Sequence, residues 1–323
     1  MKVSVAIPCY NAGSTIAETL DSILAQTRPP DEIIVADDCS TDNSREIIAR
    51  YPTVRLVCQA KNSGCASSRN LAIRASTGDV VAIVDADDLW YPDHLESTIG
   101  LLVRFPECGF AFSGNDRFGT LEDTQLPEFP ANQPVWIVDT LLHGNQIHQL
   151  TVAFRRALYD ECGGFDEEMR YCEDYDLWLR FGLRVPGAFT GKVTTAYRLH
   201  AGQLNRHVPQ MFAATWHARL KLLADVQAAS PAAADALGQK LGEIWTAGLY
   251  TAWAVRSRDA LDVMLSMSNH FPRERAADRR WRTRRSLWPL LVLLDRVSRL
   301  MPAGIRSSLR PKWGTGTTLG PRI

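Results

Sequence analysis

Long hydrophobic runs are missing from this sequence. The most apolar part of the tail, Leu287 to Leu294, contains Pro289 and is followed closely by Asp295, Arg296 and Arg299, so it falls far short of the roughly 20 residues that span a bilayer. Such a segment can lie on a membrane and is not expected to cross one. An export leader is not expected either, because Met1-Lys2 passes directly into the alternating Val3-Ser4-Val5-Ala6-Ile7. Cys9, Cys39, Cys58, Cys65, Cys108, Cys162 and Cys172 are odd in number, scattered and free of any CxxC pair, which argues against a disulfide framework or a zinc site. Most are expected as small core residues in a reducing cytosol. Gly-x-Gly-x-x-Gly and Walker-type loops are also absent, so neither a dinucleotide fingerprint nor a P-loop is available.

What is present has two characters. Net charge is formally zero over 323 residues, a length that suits one large or two modest domains. From Phe271 onward, however, 13 Lys and Arg face 3 Asp and Glu, a surplus of 10 that the preceding residues offset. The segment Arg279 to Leu294 joins a basic cluster to an aromatic and aliphatic run. Two uses stay open for it: a solvated basic face on a docked helix, or an amphipathic contact with anionic lipid.

The first part alternates strand and helix patterns. Val3 to Ile7, Glu32 to Ala36, Val54 to Cys58 and Val80 to Val84 read as strands, and Ser14 to Gln26, Asp42 to Arg50 and Cys65 to Ala75 as helices. Short apolar strands separated by helices predict an α/β fold, a mainly parallel, Rossmann-like sheet with helices on both faces. Ligands then bind beyond the carboxyl ends of the strands. Those ends carry Pro8-Cys9-Tyr10-Asn11, Asp37-Asp38-Cys39-Ser40-Thr41-Asp42, Asn62-Ser63-Gly64 and Asp85-Ala86-Asp87-Asp88. The last is the most informative, since a buried-type strand delivers three carboxylates to one point. Hard cations take oxygen ligands of this kind together with substrate phosphates. Taken alone, the same residues also suit a helix cap and a solvated turn.

Taken together, these segments resemble family 2 glycosyltransferases of the GT-A fold. The likeness is carried by Val-Ser-Val-Ala-Ile-Pro-Cys-Tyr-Asn-Ala-Gly, Ser-Ile-Leu-Ala-Gln-Thr, Glu-Ile-Ile-Val-Ala-Asp-Asp-Cys-Ser-Thr-Asp, Asn-Ser-Gly-Cys-Ala-Ser-Ser-Arg-Asn and Ser-Thr-Gly-Asp-Val-Val-Ala-Ile-Val-Asp-Ala-Asp-Asp, and it fades beyond about Arg206. The implied organisation is a GT-A catalytic domain over 1–205 and a helical C-terminal region with the basic amphipathic tail over 206–323.

The resemblance implies roles residue by residue. Pro8, Tyr10 and Asn11 shape a nucleobase loop in which Tyr10 offers its ring, Asp38 reads the N3 hydrogen of uracil or thymine, and Asn62 and Arg69 complete the nucleotide site. Asp85 and Asp87 take the place of the DxD motif, Asp85 toward ribose or metal and Asp87 as ligand of a divalent ion, Mg²⁺ or Mn²⁺; Asp88 is a third candidate. Gly163-Gly164-Phe165-Asp166-Glu167 and the following Glu173-Asp174 resemble the acceptor-side motif, with Asp174 as general base and Glu173 and Asp176 as rivals. Tyr197-Arg198-Leu199-His200, after a strand expected over Val193 to Ala196, resembles a YRxH segment in which His200 ligates the metal or contacts the diphosphate.

The implied activity is inverting transfer from a UDP- or dTDP-sugar to a hydroxyl of a glycan or lipid-linked glycan, in surface polysaccharide synthesis, with no nucleic-acid partner. The expected location is the cytoplasm, the tail allowing peripheral contact at the inner face of the membrane. Two alternatives belong to other classes: a catalytically silent sugar-nucleotide-binding protein, against which intact Asp85, Asp87 and Asp174 argue, and a sugar nucleotidyltransferase, whose glycine-rich start is missing. The QxxRW motif of polymer synthases is matched only by Ala277-Asp278-Arg279-Arg280-Trp281, with alanine in place of glutamine.

Overall fold

A computed structural model of the chain describes residues 1–200, 208–254 and 257–271. The chain begins with β1 (Val3–Cys9), α1 (Ile16–Leu24), β2 (Glu32–Asp37), α2 (Ser44–Ile48), β3 (Val54–Cys58), α3 (Cys65–Ala75) and β4 (Val80–Ile83). It continues through β5 (Leu89–Trp90), α4 (His94–Arg104), β6 (Phe110–Gly119), β7 (Asp123–Gln125), β8 (Pro134–Val135) and α5 (Val138–Leu141). A 3-10 turn at Gln149–Thr151 leads into β9 (Val152–Arg155), α6 (Arg156–Glu161), α7 (Glu173–Arg184) and β10 (Gly187–Leu199). The helices α8 (Val208–Ala229), α9 (Pro231–Ala254) and α10 (Arg258–Ser266) follow.

The expected α/β sheet is present. Its strand order is β3-β2-β1-β4-β9-β6-β10-β5. The first four strands are parallel, with Cys9 beside Asp37 and Asp37 beside Cys58. Their carboxyl ends are therefore level, and the loops after them leave from one edge. All of β1 is buried, as a strand covered on both faces must be. Beyond β4 the sheet becomes mixed, because β9 runs antiparallel to both β4 and β6, while β6 and β10 are parallel to each other.

Alternation along this half of the sheet separates small residues from aromatic ones. Ala82, Ala153, Ala111 and Ala188 are in register across β4, β9, β6 and β10, and they share a core with Leu95, Ile99 and Leu102 of α4. Period-two geometry sends Phe110, Phe112, Phe154 and Phe189 to the opposite face. There Phe181 of α7 meets Phe110 at 5.8 Å and Phe154 at 5.4 Å between ring centroids, and Trp178 meets Phe154 at 6.5 Å. Leu177, Trp178 and Phe181 are fully buried, as the amphipathic pattern predicts. The aromatic seat fixes α7 on the sheet and so fixes where its N-terminus points.

Several elements differ in extent from the sequence pattern. The helix expected over Asp42 to Arg50 starts only at Ser44, because Asp42 accepts from the backbone N–H of Ser44 at 3.0 Å and of Gly13 at 2.8 Å instead of continuing the helix. The strand expected over Val193 to Ala196 is the second half of the longer β10, which shifts register between Phe189 and Thr195 around Gly191, at φ +71°.

Contacts divide the chain into two compact units, Met1–Ile244 and Trp245–Ile323. Within the first, α8 packs on α7: Arg219 Nε donates to the Tyr175 hydroxyl at 3.1 Å, and Lys221 bonds Asp166 at 2.6 Å. The second has its own core, in which buried Trp245 donates to Met264 O at 2.7 Å and stacks on Phe271 at 5.5 Å. The segment Arg279 to Leu294 lies outside the described residues.

Candidate active site

The loops after β1, β2 and β3 are tied to one another by side chains. Asn11, at φ +49°, donates its backbone N–H to Ser40 Oγ at 2.9 Å and accepts at Oδ1 from the Thr41 N–H at 2.8 Å. Buried Asp38 accepts the N–H groups of Ser63 at 2.7 Å and Gly64 at 2.8 Å, one on each oxygen. Gly64, at φ +91°, makes that approach without a side-chain penalty. Asp38 thus builds the loop that holds exposed Asn62, and its carboxylate retains further lone pairs for a ligand. Pro8 is buried beneath this rim and the Tyr10 ring stands half exposed above it.

At the end of β4 the three carboxylates diverge. Asp85 accepts from Arg69 at 3.0 and 3.2 Å and from Gln149 Nε2 at 3.1 Å. Asp87 Oδ2 lies 3.0 Å from His200 Nε2. Burial and the neighbouring Asp85 push the Asp87 carboxyl above the usual range, and the His200 imidazole pulls it back. Asp88 is fully buried and accepts the Arg198 N–H at 2.9 Å; burial, with Asp87 and Asp85 adding to it, raises its carboxyl far above the ordinary range. Its Oδ1 thus ties the turn to β10, while its Oδ2 is buried with no hydrogen-bond partner among the described residues. Arg198 ties the same turn to β10 by donating from Nε to Asp87 O at 2.7 Å.

Arg69 is buried between two carboxylates. It pairs with Asp85 and with Glu173, and its guanidinium lies 5.6 Å from the Phe165 ring centroid. Burial opposes its charge, but Asp85 and Glu173 hold it protonated well above its ordinary range. One side chain thereby joins Asp85, beyond β4, to the first residue of α7.

Asp174 stands next to that junction. Cys172, just before α7, takes the left-handed region at φ +58°, and Asp174 accepts from the Tyr175 N–H at 2.7 Å and from Asn145 Nδ2 at 3.3 Å. Crowding by protein and the adjacent Glu173 push its carboxyl up to about 7, with Arg69 opposing. A carboxylate so raised can take a proton near neutral pH. The rivals differ: Asp176 is buried and bonded to Arg180 at 2.6 and 3.0 Å and to Lys221, and Glu173 is paired with Arg69.

Other residues at the site had no sequence motif of their own. Asn145 and Gln149 come from the linker before β9. His148 sits 5.5 Å from the Tyr197 ring; burial, then Arg117, lowers its imidazole to about 4. Burial raises the Tyr197 hydroxyl, with Asp88, Asp85, Asp87 and Asp174 all adding to the effect, which puts this ring among the carboxylates. Tyr197 opens the Tyr197-Arg198-Leu199-His200 string.

The donor set can be tested against a divalent ion. Among the described residues no group of three or more His, Cys, Asp or Glu could hold a metal alone. Asp87 and His200, however, place one oxygen and one nitrogen donor 3.0 Å from each other, and the carboxylate suits Mg²⁺ or Mn²⁺ when diphosphate oxygens and waters complete the shell. Asp85 is turned toward Arg69 and Gln149 instead.

The mixed sheet with its parallel half and the helices packed on both faces has the GT-A fold of glycosyltransferases. The family model described as glycosyl transferase family 2 matches residues 4–159, and the chain belongs to that family. It is 32% identical over 241 residues to an uncharacterised glycosyltransferase of Rickettsia typhi, covering 68% of this chain and 72% of that one. It is 29% identical over 208 residues to the Escherichia coli UDP-Glc:alpha-D-GlcNAc-diphosphoundecaprenol beta-1,3-glucosyltransferase WfaP, covering 63% and 79% of the two chains. Among solved structures, Staphylococcus aureus TarS in complex with UDP-GlcNAc superposes with a TM-score of 0.69 at 19% identity, covering 84% of this chain and 82% of that one. The chain spans 44% of a longer TarS structure.

Proposed function

We propose that the protein is an inverting, metal-dependent glycosyltransferase that moves a sugar from a UDP- or dTDP-sugar to a hydroxyl of a glycan or lipid-linked glycan in surface polysaccharide synthesis. The observation that carries this reading is the Asp85–Arg69–Glu173 bridge, which sets a donor-side carboxylate beside the raised carboxyl of Asp174. Pro8, Tyr10, Asn11, Asp38 and Asn62 form the nucleotide side, with Tyr10 stacking on the base and Asp38 accepting its N3 hydrogen. Arg69 and Asp85 act toward the ribose and diphosphate. The relative that by its name uses UDP-Glc and a diphosphoundecaprenol-linked sugar, and the neighbour solved with UDP-GlcNAc, support the donor and acceptor classes.

In this reading Asp174 takes the proton of the acceptor hydroxyl as its oxygen attacks the anomeric carbon. The new carbon–oxygen bond forms as the bond to the diphosphate breaks on the opposite face, so configuration inverts and the electron pair leaves with the nucleoside diphosphate. Asp87 and His200 would hold the divalent ion, which supplies Lewis-acid stabilisation of the developing charge on the leaving group. Arg69 adds a fixed cation near the same charge.

The direct experiment is a panel of nucleotide sugars with Mg²⁺, Mn²⁺ or a chelator, read as donor hydrolysis without acceptor. The expected result is turnover of a UDP- or dTDP-sugar only with metal. Donor binding without any turnover would favour the silent binding protein, diphosphate release from sugar phosphate and nucleoside triphosphate would favour the nucleotidyltransferase, and turnover confined to GDP-sugars would overturn the role given to Asp38. The expected place of work is the cytoplasmic face of the membrane. No helix among the described residues is long and apolar enough to cross it, and the basic tail is proposed as the peripheral contact.

A further inference from the structure

The linker segment 145–149 carries no motif, yet it meets the site three times. Asn145 Nδ2 donates to Asp174 Oδ2 at 3.3 Å, the His148 ring lies 5.5 Å from that of Tyr197, and Gln149 Nε2 donates to Asp85 Oδ1 at 3.1 Å. The orientation of the Asn145 amide follows from its own turn. Its Oδ1 accepts the Ile147 N–H at 3.1 Å, and only the oxygen of an amide can accept, so its N–H group faces Asp174. Asp174 therefore has one bond on each oxygen, from Tyr175 N–H on Oδ1 and from Asn145 on Oδ2. A carboxylate offers about four lone-pair sites, so its rotation is arrested while acceptor capacity remains for an incoming hydroxyl.

We propose that Asn145 is a positioning residue for the general base, its amide holding Asp174 Oδ2 while the same short segment holds Asp85 through Gln149. Base and donor-side carboxylate are then spaced by one strap of chain rather than by the sheet alone. This rests on the reading of Asp174 as the base. The charged and titratable groups that face Asp174 are Glu173 and Cys172 beside it, Arg69 from α3, Asp85 after β4 and Tyr197 from β10. Asn145 is the neutral donor among them, and a carboxylate in its place would oppose the ionised base.

Asn145 is exposed, so Asn145→Ala and Asn145→Asp leave the core untouched. The assay is steady-state hydrolysis of the UDP- or dTDP-sugar that the panel selects, with water in the acceptor's place. Asn145→Ala should lower kcat about tenfold or more, the size of a hydrogen bond to a charged group, with the donor KM unchanged and the acid limb of the kcat profile moved to higher pH. Asn145→Asp should move that limb further. Wild-type kcat and an unmoved limb in both variants, or a loss confined to donor KM, would overturn the proposal. Asp174→Asn separates the two readings: if it hydrolyses donor like the wild type, the base assignment fails, whereas if it is inactive and the Asn145 variants are normal, only the strap fails.

Discussion

At the scale of single residues, the site works by giving neighbouring carboxylates different environments. Asp85 is neutralised by Arg69, Asp88 is sealed in the turn, and Asp174 is crowded beside Glu173 until its carboxyl rises to about 7. With Asp174 as the proposed base, the rate should fall as pH drops through about 7 and that carboxylate takes up its proton. Stability runs the other way. A carboxyl raised in the folded state contributes stability that is fully present below the ordinary carboxylate range and lost as pH rises through about 7. Asp174→Asn, which cannot ionise, should lower transfer by about 10²- to 10⁴-fold while raising Tm at pH 8 relative to the wild type, and should leave Tm little changed near pH 4. An equal or lower Tm at pH 8 would contradict the environment assigned to Asp174. Asp38, Asp87, Asp174 and His200 stand out as candidates in the sequence because each belongs to a short string at a strand or helix end. Their partners do not: Gln149 meets Asp85 across 64 residues of chain and Glu173 meets Arg69 across 104, and no local pattern encodes such pairings.

At the scale of elements, α7 is the part that carries the proposed base. Its aromatic face is seated on Phe110 and Phe154, and its second turn is locked by Arg180, which bonds Asp176 and also donates to Cys162 O at 2.6 Å and Gly164 O at 2.8 Å. Arg180 thereby holds the Gly163-Gly164-Phe165 loop against the helix. Arg180→Ala should cost about 3 kcal/mol, the lower end for breaking a buried pair, because Lys221 remains as a second partner of Asp176. Urea unfolding measures this, and a midpoint shift too small to detect would mean the pair is idle. The boundaries of β3 and α3 follow the sequence pattern residue for residue, since both are plain apolar or small-residue runs closed by loop residues. Of β10 only residues after the bulge were visible in the sequence, because the bulge around Gly191 breaks the alternation that joins them to the first half of the strand.

For the whole molecule, the parallel half of the sheet was legible from strand and helix alternation, while the antiparallel insertion of β9 between β4 and β6 was not. A strand of four residues has too little pattern to declare its partners. The charge asymmetry belongs to this scale as well. If the basic tail binds anionic lipid, the full chain should sediment with phosphatidylserine vesicles at low salt and release at high salt, and a chain ending before Arg279 should not; equal sedimentation of both would assign the tail to packing. The central claim is that a metal-holding donor side and a separate base act on one sugar nucleotide. The most direct test measures donor binding by calorimetry and metal-dependent donor turnover for the wild type, Asp87→Ala and Asp174→Asn. The expected result is turnover by the wild type alone, with Asp174→Asn still binding donor in a metal-dependent manner and Asp87→Ala losing that metal dependence. Turnover by either variant at the wild-type rate would contradict it.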